Sequence, residues 1–271
     1  MKKLSVLMSV YYKDKPDYLS SSLDSVLNQT VRPDEIVCVC DGKLTDELYA
    51  VLHRYEAANE IIKVVSLSEN SGLGKALNCG LPFCSNELVA RMDADDISKP
   101  DRFEKQLVVF EQHPEYDVVG SWIDEFEGTP DNIVSVRKLP ESPEELWEYG
   151  KKRNPMNHPS VMFRKSSVQD VGGYQPFYLF EDYYLWVRML MAGKRLYNLQ
   201  ESLLYFRTSP EMFSRRGGMR YARSEFNFLE KMHELNYITK IEMLRNMAIR
   251  FGARMIPNKM RTNIYKKLLR A

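Results

Sequence analysis

Four apolar runs separated by helix-length amphipathic stretches constrain this chain more than any other feature. Leu4-Ser5-Val6-Leu7-Met8-Ser9-Val10 reads as a strand, and Glu35-Ile36-Val37-Cys38-Val39-Cys40 is a nearly continuous apolar run ending at Asp41-Gly42. Strands apolar on both sides belong to parallel sheets covered by helices on both faces. Between the runs, Tyr18 to Asn28 has amphipathic helical spacing, and Leu44, Leu48, Val51, Leu52 and Tyr55 repeat it. A strand from Ile61 to Leu67, a helix from about Gly72 to Phe83 and a strand from Glu87 to Met92 continue the alternation. This order predicts an α/β fold with a mostly parallel, Rossmann-like sheet whose strand carboxyl ends share one edge. Ligands of open α/β sheets collect at that edge. Tyr11, Asp41, residues 68–74 and Asp93 to Asp96 all fall there.

Past Pro100 the pattern changes. After a helix to about Gln112, Val118 to Phe126 and Ile133 to Leu139 form a predicted hairpin across Gly128-Thr129-Pro130-Asp131-Asn132. Ser142-Pro143-Glu144-Glu145 opens a capped helix, His158 to Phe163 reads as a strand, Gly172-Gly173 breaks the chain, and Glu181 to Ala192 is helical. Pro210, Arg215, Arg216, Gly217 and Gly218 give residues 209–218 the composition of a mobile basic loop.

With 271 residues, 44% hydrophobic and 28% charged, the chain suits a soluble globular protein, either one large domain or a domain with an extension. No stretch reaches the roughly 20 apolar residues of a membrane span, and the run after Met1-Lys2-Lys3 is too short for a secretory signal, so a cytoplasmic protein is expected. Cys38, Cys40, Cys79 and Cys84 lack paired zinc spacing and read as reduced core thiols. The net charge of +1 hides an asymmetry: residues 240–271 hold nine basic side chains against Glu242 alone, which is +8, leaving −7 on residues 1–239.

The densest chemistry lies at Asp93-Ala94-Asp95-Asp96. Carboxylates this close repel unless a cation sits among them, and Mg²⁺ or Mn²⁺ shared with substrate phosphates meets that need, which points to a nucleotide diphosphate. An acidic turn before the next helix is the plainer alternative. A calcium loop is excluded, since Ile97 and Ser98 replace the required oxygen ligand and glycine. Ser71-Gly72-Leu73-Gly74-Lys75-Ala76 is no P-loop, because Glu69 and Ala76 stand where Gly and Ser or Thr belong. Lys75 and Asn78, one turn apart, could touch a base or phosphate, or merely start a helix. Glu181-Asp182 either favours the positive end of a helix or supplies a general base for a sugar hydroxyl. His158 is a substrate or metal contact or a structural group. Among Trp122, Trp147, Tyr174, Phe177, Tyr178, Tyr183 and Trp186, most belong to the core and one or two could stack on a sugar.

Taken in order, Ser9-Val10-Tyr11-Tyr12, Gln29-Thr30, Cys40-Asp41-Gly42, Gly74-Lys75-Ala76-Leu77-Asn78, Arg91-Met92-Asp93-Ala94-Asp95-Asp96, His158-Pro159-Ser160, Gly172-Gly173-Tyr174 and Glu181-Asp182 resemble family 2 glycosyltransferases with the GT-A fold, over roughly Leu4 to Arg207. The similarity is greatest to bacterial enzymes that extend capsular, exopolysaccharide or lipopolysaccharide units. The resemblance implies that Tyr11 and Asp41 hold the base, with Lys75 and Asn78 nearby and Asp93 toward the ribose, and that Asp95 binds Mn²⁺ or Mg²⁺. Arg91 joins the nucleotide-sugar set, and Arg207, Arg215 or Arg216 closes over the pyrophosphate. Asp182 becomes the base of a single inverting displacement, with His158, Tyr174, Glu181 and Trp186 lining the acceptor and sugar pocket. Tyr12 and Lys43 depart from the family pattern. The Q-x-x-R-W signature of processive members is absent, which favours one sugar per encounter.

The implied organisation is a catalytic domain over 1–208, with a nucleotide-sugar half (1–97) and an acceptor half (98–208), then a basic loop and helix (209–239) and a basic amphipathic helical tail (240–271). In that tail Ile241, Leu244, Ala248, Phe251 and Met255 form one stripe and Met260, Ile264 and Leu268 another. The stripes suit either an anionic membrane surface or packing onto the domain. The partners expected are a nucleotide-sugar donor, with UDP the expected nucleotide, and a lipid-linked or oligosaccharide acceptor at the inner membrane face, with no nucleic acid. A sugar-phosphate nucleotidyltransferase and a non-catalytic membrane-associated carbohydrate-binding protein are the alternatives.

Overall fold

A computed structural model describes residues 3–208 and 218–255. The expected alternation is present: β1 (Leu4–Val10), α1 (Pro16–Leu27), β2 (Glu35–Cys40), α2 (Asp46–Ala58), β3 (Ile62–Ser66), α3 (Leu73–Gly80) and β4 (Leu88–Asp93). A short β5 (Ile97–Ser98) and α4 (Arg102–Gln112) follow, then β6 (Val118–Phe126), β7 (Ile133–Arg137), α5 (Pro143–Gly150), β8 (Met162–Arg164), α6 (Lys165–Asp170), α7 (Glu181–Met191) and β9 (Leu196–Arg207). Two helices, α8 (Gly218–Glu234) and α9 (Lys240–Met255), end the described chain. The second apolar stripe of the tail and the basic loop around Arg215 and Arg216 lie outside the described residues.

The strands form one nine-stranded sheet ordered β3-β2-β1-β4-β8-β6-β9-β5, with β7 also on β6. From β3 to β4 every pairing is parallel, as the apolar runs require. The remainder is mixed: β8 is antiparallel to β4 and β6, β9 is parallel to β6, and β5 is antiparallel to β9. Alternation along β1 feeds two cores, Leu7 on one side with Val37, Ala76 and Trp186, and Val6, Met8 and Val10 on the other with Leu19, Leu23 and Leu48. By the same alternation Cys38 and Cys40 share a face, and burial pushes the Cys38 thiol up to about 12.

Three local expectations need correction. Residues 158–163 are not one strand: His158–Ser160 forms a 3₁₀ turn and only Met162–Arg164 pairs, because Pro159 has no N–H for a ladder. The helix begun near Gly72 ends at Gly80 and tightens into a 3₁₀ turn over Leu81–Phe83, where Pro82 removes a helical donor. Strand β9 went unread, since Gln200-Glu201-Ser202 interrupts its apolar pattern where the register with β6 shifts. The hairpin and the capping box at Ser142 and Glu145 match expectation. Buried Gln106 ties the sheet to the turn before β8 by donating to the carbonyls of Val119 and Ser160, each at 2.8 Å.

Candidate active site

The chain leaves β4 in the middle of the sheet, bends through Asp93-Ala94-Asp95-Asp96 and re-enters as β5 on the far strand β9. Arg207, the last residue of β9, holds this bend. Its backbone N–H donates to Asp96 Oδ1 (2.9 Å), its Nε to the Asp95 carbonyl (2.9 Å) and its Nη1 to the Gly128 carbonyl (2.9 Å). The guanidinium lies 3.8 Å from the Tyr18 ring centroid and 4.6 Å from that of Phe126. Arg207 was expected to close over a pyrophosphate. Instead its backbone N–H and Nε hold Asp96 and the Asp95 carbonyl while Nη1 reaches the Gly128 carbonyl, so it positions the acids.

One carboxylate oxygen each from Asp93, Asp95 and Asp96 lies within 4.8 Å of the others. Burial and then the neighbouring Asp93 push Asp95 up to about 6, and burial followed by Asp95 raises Asp96 as well. Asp96 is fully buried and its Oδ2 has no hydrogen-bond partner among the described residues. Hard oxygens, mutual repulsion and an orphaned buried carboxylate oxygen fit a divalent cation. Asp96 adds a candidate ligand to the Asp95 expected from sequence; its place as the third acid of one bend was the available signal.

Beneath the bend sits Arg91, 1% exposed, paired through Nη2 with Asp93. Burial opposes its charge, but Asp93, Tyr174 and Asp96 outweigh that and hold the guanidinium charged. Its Nε and Nη1 have no partner among the described residues.

At the end of β2, Asp41 accepts from the backbone N–H groups of Ser71 (2.7 Å) and Gly72 (3.0 Å), while Asn70 donates to its carbonyl (3.1 Å). These bonds strap the loop before α3 over the sheet edge. Gly42 is needed there, since its φ is +79° and a Cβ would lie 2.5 Å from the Asn70 nitrogen. Lys75 is exposed in the first turn of α3, and Tyr11 is half-buried at the end of β1. Asn78 is not available to a nucleotide: its Oδ1 accepts from the Tyr174 N–H (2.7 Å) and its Nδ2 donates to the Tyr174 carbonyl.

Helix α7 begins at Glu181 and Asp182. Asp182 Oδ2 accepts from Asn154 Nδ2 (2.7 Å) and its Oδ1 from the Tyr183 N–H (2.7 Å). Asn154 was missed, although it lies in the same short segment as His158. Burial, then Asp182, pushes Glu181 up to about 7. The charges of Arg91 and Asp93 both act on Glu181.

The rings expected to line the acceptor and sugar pocket are not exposed, although Tyr178, another of the aromatics that could stack, is 45% exposed. Trp186 is fully buried and Tyr174 nearly so, and His158, itself buried, hydrogen-bonds through Nε2 to the Tyr174 hydroxyl (2.8 Å). Rings without a free face cannot stack on a sugar, so His158, Tyr174 and Trp186 form the floor behind the acids and not its lining. Burial, reinforced by Arg91, holds the His158 pKa well below its usual value, so the ring stays neutral.

Residues 5–171 match the family described as Glycosyl transferase family 2. The chain is 40% identical over 268 residues to the Escherichia coli UDP-Gal:alpha-D-GlcNAc-diphosphoundecaprenol beta-1,3-galactosyltransferase, covering 99% of this chain and 97% of that protein. It is 38% identical to the Erwinia amylovora amylovoran biosynthesis glycosyltransferase AmsE, covering 97% and 98% of the two chains. In fold it is similar to S. aureus TarS 1-349 in complex with UDP-GlcNAc, with TM-score 0.67, 19% identity and coverage of 97% and 75%. The Pyrobaculum calidifontis mannosyltransferase PcManGT in complex with GDP-Man and Mn²⁺ gives TM-score 0.65, 15% identity and coverage of 93% and 74%. The sheet and its helices are thus the GT-A arrangement.

Proposed function

This chain belongs to glycosyl transferase family 2 and is a glycosyltransferase, and from that premise we propose that it moves one sugar, with inversion, from a UDP-sugar to a lipid-linked or oligosaccharide acceptor in bacterial surface polysaccharide synthesis. The observation that carries this reading is the gathering of Asp93, Asp95 and Asp96 at one bend at the strand ends, with Arg91 buried and paired to Asp93 beneath them. The donor and acceptor follow from the E. coli relative, named for UDP-Gal and a diphosphoundecaprenol-linked acceptor. AmsE, named for amylovoran biosynthesis, supports the polysaccharide setting. Residues 1–97 supply the donor half and 98–208 the acceptor half, and the enzyme works at the cytoplasmic face of the membrane.

Mn²⁺ or Mg²⁺ held by Asp93, Asp95 and Asp96 would supply positive charge opposite the departing diphosphate. The protein's own residues do the positioning. Asp41 and Tyr11 take the base at the strand ends, and Lys75 offers its ammonium toward phosphate. Arg91 orients Asp93, and its Nε and Nη1 nitrogens, without partners among the described residues, lie beneath the donor site. Asp182, steered by Asn154 and the Tyr183 N–H, removes the proton from the acceptor hydroxyl as that oxygen attacks the anomeric carbon. Attack opposite the leaving group inverts that carbon. Glu181, partly protonated at neutral pH, donates a hydrogen bond to the same acceptor.

The test uses the purified protein with UDP-galactose or UDP-N-acetylglucosamine, with Mn²⁺ or a chelator, and a lipid diphosphate-linked sugar acceptor. Asp182→Asn should keep metal-dependent donor binding while transfer falls by roughly 10²–10⁴-fold, the range of a lost general base. Asp95→Ala should lose the donor binding itself. Unchanged turnover in Asp182→Asn removes that residue from the base role, and absence of affinity for any nucleotide sugar overturns the reading.

A further inference from the structure

Helix α9 meets the rest of the described chain along one face. Asn246 donates to the Lys151 carbonyl (2.9 Å), Arg250 donates to the Lys152 carbonyl (2.7 Å) and pairs with Glu225, and Met243 and Met247 pack on the core cluster that contains Trp186. Positions 243, 246, 247 and 250 form one helical stripe. The stripe of Ile241, Leu244, Ala248 and Phe251, which could equally have packed on the domain, faces away from it. Ile241 is 79% exposed, Leu244 53%, Ile249 62% and Phe251 56%, with Arg245 exposed among them. A helix anchored by its opposite face gains nothing for folding from large aliphatic side chains turned outward, so this surface calls for a partner.

Charge selects the partner. Residues 240–271 carry +8, whereas residues 1–239 carry −7. A second copy meeting this face symmetrically would set like charge against like, while an anionic bilayer complements it. We propose that the outer face of α9 seats the enzyme on an anionic lipid surface. Ile241, Leu244, Ile249 and Phe251 enter the boundary between headgroups and acyl chains, and Lys240 and Arg245 lie among the lipid phosphates. This rests on, and deepens, the reading of a lipid-linked acceptor: the docked face confines the enzyme to the surface where such an acceptor resides.

The experiment sediments the full chain with vesicles of phosphatidylglycerol and phosphatidylethanolamine, and separately with phosphatidylcholine vesicles. Wild type should bind the first far more than the second. The variant Ile241→Gln, Leu244→Gln, Ile249→Gln should lose about tenfold or more in partitioning, while its unfolding midpoint and its transfer to a water-soluble short-chain acceptor stay unchanged. That last readout separates the two ideas, since loss of transfer in wild type itself would fault the catalytic reading and leave the vesicle result to judge the docking. Undiminished vesicle binding by the triple variant overturns the proposal. So does light scattering that finds a wild-type dimer which the variant converts to monomer. A Leu244→Cys thiol shielded from a polar maleimide without vesicles would also overturn it, by showing that another part of this chain covers the face.

Discussion

Three carboxyl groups at the sheet edge bind protons more tightly than free carboxyls: Asp95, raised from 3.8 to about 6, Asp96, and Glu181, raised to about 7. A carboxyl whose pKa rises on folding favours the folded state below its unfolded value, and that contribution is lost as pH rises through the folded value. For Asp95 the window runs from 3.8 to about 6, and above it the ionised group costs on the order of 2–3 kcal/mol. Asp95→Asn should therefore raise the unfolding free energy of the metal-free protein at pH 7.5, lose that advantage near pH 4, and abolish Mn²⁺-dependent donor binding. Denaturant titrations at the two pH values check this, and a variant no more stable than wild type at neutral pH would contradict the crowding of charge at the bend. Asn78 offers a second test at this scale. Because both amide atoms hold the Tyr174 backbone, Asn78→Leu should lower kcat and stability while donor KM moves by less than about threefold. A large rise in donor KM with kcat preserved would put Asn78 back against the nucleotide.

Between elements, the contact that matters most is α3 against the chain entering α7. Gly173 has φ +64°, and a Cβ there would lie 2.5 Å from Asn78 Oδ1. Gly173→Ala combines left-handed strain with that collision and should destabilise by about 2 kcal/mol or more, measurable as a lower denaturation midpoint with reduced transfer. This clamp shows where reading the sequence stopped. The parallel strands were legible because Val37, Cys38, Val39 and Cys40 are apolar on both faces, and the acids of the bend because they sit together in the chain. Gly172-Gly173 was legible only as a break, since its partner Asn78 lies 96 residues away from Tyr174. The same distance problem misassigned Arg207, whose role depends on Asp95 and Asp96 more than a hundred positions earlier. It also gave Trp186 a sugar-facing role, because aromatic residues at helical spacing carry no sign of which face the sheet will cover.

At the scale of the whole molecule, one sheet runs through residues 1–97 and 98–208, the proposed donor and acceptor halves, and the acid bend links its middle to its edge: β4 precedes the bend, and β5 after it pairs with β9. Arg207 adds the end of β9 to the same knot. A ligand gathered at the bend should therefore stabilise both halves together. Binding to the folded state alone contributes about 2.7 kcal/mol when the free ligand stands at a hundred times its Kd. Protons compete for Asp95, which ionises at about 6, so the gain should shrink as pH falls through that value. Calorimetry at pH 7.5 should show a single transition over the catalytic domain, moved upward as a unit by Mn²⁺ with a UDP-sugar, and the shift should be largely gone at pH 5. Two transitions, only one of them moved by Mn²⁺ and donor, would mean that the halves fold separately and that β5 pairing with β9 does not couple them.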